Sequence, residues 1–151
     1  MTVRVKCRRG YGPLGRFLRP RARRLLRLCG RQQAELSLLL CGDQEMRELN
    51  RQYRGRDRST DVLAFSQQEG PGPEQRPPLL GDVVICVDQA RRQAGRGQRA
   101  LERELLLLLV HGTLHLLGYE HEGVDGDRAR SMEEKQQQLL DLLLQGGRAR
   151  R

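Results

Sequence analysis

The chain has 151 residues, a length suited to one compact domain. Twenty-eight Lys and Arg against 19 Asp and Glu leave a formal net charge of +9, an excess that draws polyanions such as RNA, DNA or an anionic membrane surface. Aromatic residues make up 3% with no tryptophan, so the core must be aliphatic, and the longest apolar run, Leu105 to Val110, is far too short to span a bilayer.

The expected elements follow in chain order. Residues 2–7, TVRVKC, alternate and predict a first strand. The basic segment from Pro13 to Cys29 predicts a helix that Pro20 either breaks or begins in earnest, with Gly30 as its stop. Glu35 to Cys41 reads as a buried strand. Asp43 then stands as an N-cap before a helix that Gly55 ends. Asp61 to Ser66 is a short strand, and residues 67–80, rich in Pro, Gly and Gln, form an exposed loop. Gly81 to Asp88 is the clearest strand. A short helix from Asp88 to about Ala94, a long one from about Arg99 to Leu117, and a last one from about Asp127 to Leu144 complete the chain. The expected fold is α+β, a small mixed sheet of about four strands covered by helices. One domain is expected over 1–146, with a disordered tail at 147–151.

Cys7, Cys29, Cys41 and Cys86 are scattered without a CxxC pair, so nothing suggests a zinc knuckle or a disulfide framework. They read as reduced, small hydrophobes of a cytosolic protein. The opening MTVRVKCRRG has no apolar stretch of a secretory signal, so a cytoplasmic location is expected.

All three histidines fall within eleven residues, His111-Gly-Thr-Leu-His115-Leu-Leu-Gly118-Tyr-Glu-His121. Positions i and i+4 of a helix share a face, so His111 and His115 can meet at one point. Gly118 allows a left-handed exit that can return His121 over the same face. Three neutral imidazoles with a fourth position open make a catalytic metal site, with zinc the expected ion. The spacing HxxxHxxGxxH is that of metzincin proteases, which carry a glutamate general base directly after the first histidine. Here that position is Gly112, which cannot take a proton. A metal with three neutral ligands keeps its double positive charge and favours an anionic group such as a phosphodiester. Arg54, at a helix end before Gly55, offers a guanidinium that can fork onto phosphate oxygens.

Three segments together, LNRQYRGRDRSTDVLAF, LGDVVI and HGTLHLLGYEH, resemble the YbeY family, metal-dependent single-strand endoribonucleases that mature ribosomal RNA. The resemblance runs from about Glu35 to Leu144, and the first 30 residues match weakly. It implies zinc on His111, His115 and His121, a functional role for Arg54, and RNA as substrate, particularly 16S rRNA near its 3′ end. Ribosomal RNA and the small ribosomal subunit would be the partners, in ribosome maturation and quality control. Some positions depart from the family pattern. Glu120 stands where aspartate is usual, Ala64 where serine is common, and Ser59 and Ser66 where proline is frequent.

Other residues admit two roles each. Thr60 and Asp61 line the cleft or, the favoured reading, cap a strand. Asp82 either holds a histidine from behind or serves the turn at a strand start. Tyr119 packs beside the turn or touches substrate. Two further functions compete with the nuclease: a non-catalytic RNA-binding ribosome-assembly factor with a structural metal, and a protease-like metallohydrolase.

Overall fold

A computed structural model of the chain describes residues 2–67, 79–119 and 126–148. The elements are β1 (Thr2–Cys7), α1 (Gly12–Leu28), β2 (Glu35–Cys41), α2 (Asp43–Arg54), β3 (Val62–Ser66), β4 (Leu79–Cys86), α3 (Val87–Gln93), α4 (Gln98–Leu116) and α5 (Gly126–Arg148). Four strands lie in the order β1-β2-β4-β3. The first three run parallel and β3 pairs antiparallel with β4. The sheet is therefore mixed, as the α+β reading requires, and β3 is an edge strand.

Each β-strand presents two faces, and two apolar clusters divide between them. Leu36, Leu38, Leu40, Val83 and Ile85 point into the larger cluster, with Leu18, Leu25 and Leu26 of α1, Leu105, Leu106, Leu109 and Leu114 of α4, and Leu139, Leu140 and Leu143 of α5. The opposite face carries the smaller cluster of Cys41, Met46, Leu63, Val84 and Cys86, with Leu49 and Phe65 against it, under α2. Leucine dominates, as the scarcity of aromatics demands. Among the described residues, no helix is long and apolar enough to cross a membrane.

Several expected boundaries move. The helix of α1 runs unbroken through Pro20, because its apolar face of Leu14, Leu18, Ala22, Leu25 and Leu26 is wholly buried. Burial of such leucine side chains is worth about 1.5–3 kcal/mol each, so the four together outweigh the roughly 3 kcal/mol a proline interruption costs. Asp43 is not the N-cap of α2; Gly42 is, and it has no side chain of its own to cap with. The Asp43 backbone N–H instead donates to Asp88 Oδ2 at 2.9 Å, so a carboxylate from α3 does the capping. β4 starts at Leu79, inside the segment expected to be loop; residues 68–78 lie outside the described residues. The last helix runs on to Arg148 rather than stopping near Leu144, so residues 147 and 148 of the expected tail are helical.

The helix α4 lies tightly on the sheet at one glycine. A Cβ on Gly112 would stand 2.8 Å from Val83 Cγ1 and 3.2 Å from Val62 Cγ2. Gly81, with φ +150°, is equally confined, since its Cβ would meet the Phe65 carbonyl oxygen at 2.3 Å. Gly112→Ala is expected to lower stability by about 1–3 kcal/mol, the usual cost of overpacking. Urea unfolding measures this, and an unchanged midpoint would show that the helix can lift away at no cost.

Candidate active site

Helix α4 supplies the first part of the site. Its residues Leu105, Leu106, Leu109, Val110 and Leu114 are fully buried, so its rotation about its own axis is fixed by packing. That rotation leaves His111 and His115 half-buried. Their Nε2 atoms lie 3.1 Å apart, with ring centroids 4.7 Å apart and planes at 70°. Two imidazoles on one tetrahedral zinc, at bonds of about 2.0–2.1 Å, hold their nitrogens about 3.3 Å apart. The donor spacing thus fits one ion. His121 lies outside the described residues.

The other nitrogen of His111 is held from α5. Gln136 Oε1 lies 2.7 Å from His111 Nδ1, and an amide oxygen can only accept, so Nδ1 is the donor, an arrangement that in the neutral imidazole leaves the lone pair on Nε2. This is the outer contact that metal-binding histidines ordinarily make. Sequence reasoning missed Gln136, because nothing in the run Gln136-Gln137-Gln138 marks one amide over its neighbours. Asp82, the residue considered for this task, lies elsewhere. Its carboxylate accepts from Gln67 Nε2 at 2.9 Å, and it lines a groove on the α2 side of the sheet.

Arg54 is the last residue of α2 and is exposed. Gly55 turns the chain with φ +70°, and the Arg56 N–H reaches back to the Asn50 carbonyl at 3.2 Å. The Arg54 guanidinium donates from Nη2 to the Ala64 carbonyl at 2.8 Å and lies 4.6 Å above the Phe65 ring. Tyr53 packs edge-on to the same ring at 5.3 Å. The Cys86 N–H donates to the Asp61 carbonyl at 2.9 Å. Antiparallel alternation then turns the N–H and C=O of Ala64 outward, to the free edge of β3. Arg54 therefore sits on that free edge. The histidine helix abuts the same strand from the other face, where Gly112 meets Val62.

Much of the segment around Arg54 holds the loop rather than facing a substrate. Asn50, 3% exposed, donates to the Arg58 carbonyl at 2.9 Å. Arg47 forks onto Asp57 at 2.8 and 3.1 Å. Asp61 Oδ1 accepts from the Val62 N–H at 2.7 Å, which is the strand-capping role favoured above. Tyr119 is half-buried against the main core.

A second cluster has ligand atoms close enough for a metal: Asp43, Cys86 and Asp88. Each is already engaged. Arg92 forks onto both Asp43 oxygens at 2.9 and 2.7 Å, and Ser59 donates to Oδ1 at 2.9 Å. The Arg92 fork, above all, holds the Asp43 carboxyl well below the ordinary carboxylate range. Burial raises the Cys86 thiol, keeping it protonated at neutral pH. Asp88 caps α2. A cation here would have to displace the guanidinium, so the cluster ties α2 to α3.

Replacing Gln136 with leucine is expected to weaken metal binding about 10–100-fold, the usual cost of losing such an outer contact. Competition with a chromophoric chelator reads it, and an unchanged affinity would show that Gln136 does not orient the ring.

Comparisons with known proteins identify the family. The family model for Endoribonuclease YbeY matches residues 21–144. A curated Endoribonuclease YbeY of Geobacter sulfurreducens is 40% identical over 97% of this chain and 99% of its own length. That of Syntrophus aciditrophicus is 43% identical over 85% of this chain and 80% of its own. A solution structure from Thermotoga maritima superposes with a TM-score of 0.63 at 27% identity, covering 97% of this chain and 92% of the other. These likenesses place the chain in the Endoribonuclease YbeY family.

Proposed function

We propose that the chain is a zinc-dependent endoribonuclease that cuts single-stranded RNA, acting in the cytoplasm on 16S rRNA near its 3′ end. The small ribosomal subunit is its partner. The observation that carries the metal chemistry is the 3.1 Å approach of His111 and His115 Nε2, and the family carries the RNA.

In this reading His111, His115 and His121 hold one ion, and neutral imidazoles suit zinc. When bound, the ion supplies Lewis acidity toward a phosphoryl oxygen and lowers the pKa of water. The protein supplies position. Gln136 fixes the His111 tautomer. Arg54 donates from Nη2 to the Ala64 carbonyl and, at 3.5 Å, from Nη1 to the Tyr53 carbonyl, and rests on Phe65, so its fork is held at the strand edge without the entropy of a free side chain. Its remaining N–H groups can take the non-bridging oxygens of a phosphate and stabilise the charge that grows there.

A protease-like role is not favoured. Gly112 stands where a glutamate base would follow the first histidine, and the sheet leaves no room there for any side chain. A purely structural metal is not favoured either, since the curated relatives are named endoribonucleases.

Zinc-loaded protein is expected to cleave a single-stranded RNA, with chelation or His115→Ala abolishing cleavage. Arg54→Ala should lower the rate about 10²–10³-fold, the cost of removing one charge-stabilising donor, while lowering stability by only about 0.5–1.5 kcal/mol with its exposed contact to the Ala64 carbonyl. Cleavage that survives chelation and both substitutions would belong to a contaminant, and the reading would fall.

A further inference from the structure

The positive charge of this chain is not spread evenly. Residues 1–34 hold eleven Arg and Lys and no Asp or Glu, so the remaining 117 residues carry a net −2. Six of the eleven are arginines on α1. Three of these are engaged at backbone carbonyls: Arg19 with Val3 at 3.2 Å, Arg21 with Phe17 at 2.8 Å, and Arg24 with Leu142 at 2.6 Å. Arg16, Arg23 and Arg27 are exposed. At 100° per residue they fall within about 40° of one another, in a straight stripe about 16 Å long.

The contrast with α2 decides what this stripe means. On α2, cations and acids alternate, and Arg47 and Arg51 pair with Asp57 and Glu48. A solvated helix face with no polyanionic partner gains from such mixing. On α1, among the described residues, no ion pair engages Arg16, Arg23 or Arg27. The stripe repels itself and is left uncompensated. It also lacks an aromatic platform, because Phe17, the only phenylalanine on the helix, lies half-buried with Arg21 3.9 Å over its ring. Bases of a single strand stack on aromatics, whereas a duplex is held through its phosphates.

We propose that the Arg16–Arg23–Arg27 face of α1 docks the phosphate backbone of double-stranded RNA, separately from the cleavage site. The proposal rests on the reading that the chain acts on RNA. It adds a second contact that would hold a folded RNA by a stem while a neighbouring single strand reaches the histidines. The fold suits this division. α1, α4 and α5 share one layer on the sheet, and Arg24 ties α1 to the same α5 that holds His111 through Gln136. The family match begins at residue 21, so Arg16 lies outside it.

The test is fluorescence anisotropy with a blunt RNA duplex of about 20 base pairs, which offers no single strand to cut, titrated between about 50 and 200 mM salt. The triple variant Arg16→Gln, Arg23→Gln, Arg27→Gln should bind about tenfold more weakly or worse, with the slope of log K against log salt shallower by about 2–3. The corresponding triple lysine variant keeps the charge and should keep the slope, which separates docking from misfolding. Equal affinity and slope for the glutamine variant and the unsubstituted protein would overturn the proposal. So would loss of binding to phosphatidylglycerol vesicles with duplex binding intact, which would assign the stripe to a membrane surface. Cleavage of a short single-stranded oligonucleotide should be the same in all three proteins. If the unsubstituted protein cannot cut that oligonucleotide, the nuclease reading fails while the duplex measurement still stands or falls alone.

Discussion

The contact between α4 and the sheet at Gly112 governs the rest of the molecule. With no side chain between them, the helix backbone comes down onto Val83 and Val62. The flanking leucines then bury on either side and fix which way the helix faces. His111 precedes this contact by one residue and His115 follows it by three. Once the contact is made, neither imidazole can choose its direction, and their Nε2 atoms converge. The proposed metal site needs its ligands held to a fraction of an ångström, and a close-packed interior would provide that rigidity. The same contact removes the place where a protease of this ligand spacing keeps its base. One glycine thus accounts for both the precision of the site and the narrowing of its chemistry.

The edge strand β3 joins the two halves of the site. Among the described residues it is the only antiparallel member of the sheet, so half of its backbone groups face away from β4 and must be satisfied otherwise. Asp61 takes the N–H of Val62 and Arg54 takes the C=O of Ala64. Covering an exposed edge with charged groups discourages other strands from pairing there. For Arg54 the same hydrogen bond also aims a guanidinium along the rim. In the proposed function this residue serves the fold and the chemistry at once. The neighbouring Asn50, Asp57 and Asp61 serve the fold by holding the loop that carries the chain from α2 to β3.

The engaged carboxylates illustrate how proximity misleads. Asp43, Cys86 and Asp88 lie as close as ligands would. Yet a guanidinium fork, a hydroxyl and a helix N-terminus already consume their lone pairs. The histidine pair differs in kind, since two imidazole nitrogens 3.1 Å apart present lone pairs to one another unless a proton or a cation intervenes.

The sequence by itself determined the element order, the class of fold and the pairing of His111 with His115. Each depends on short-range periodicity: alternation for strands, and a four-residue step on one face of a helix. It also marked Arg54 and excluded a base at Gly112, because those follow from residue type at one position. Only the tertiary structure decided that Pro20 stays inside α1, where burial outweighs local propensity, and that Asp88 rather than Asp43 caps α2. Gln136 behind His111, and the Ala64 carbonyl under Arg54, were likewise its decisions. These contacts join residues 10 to 45 positions apart in the chain. No local pattern encodes them, because which residues meet depends on how helices and strands stack, and that is settled by burial of the whole apolar surface at once.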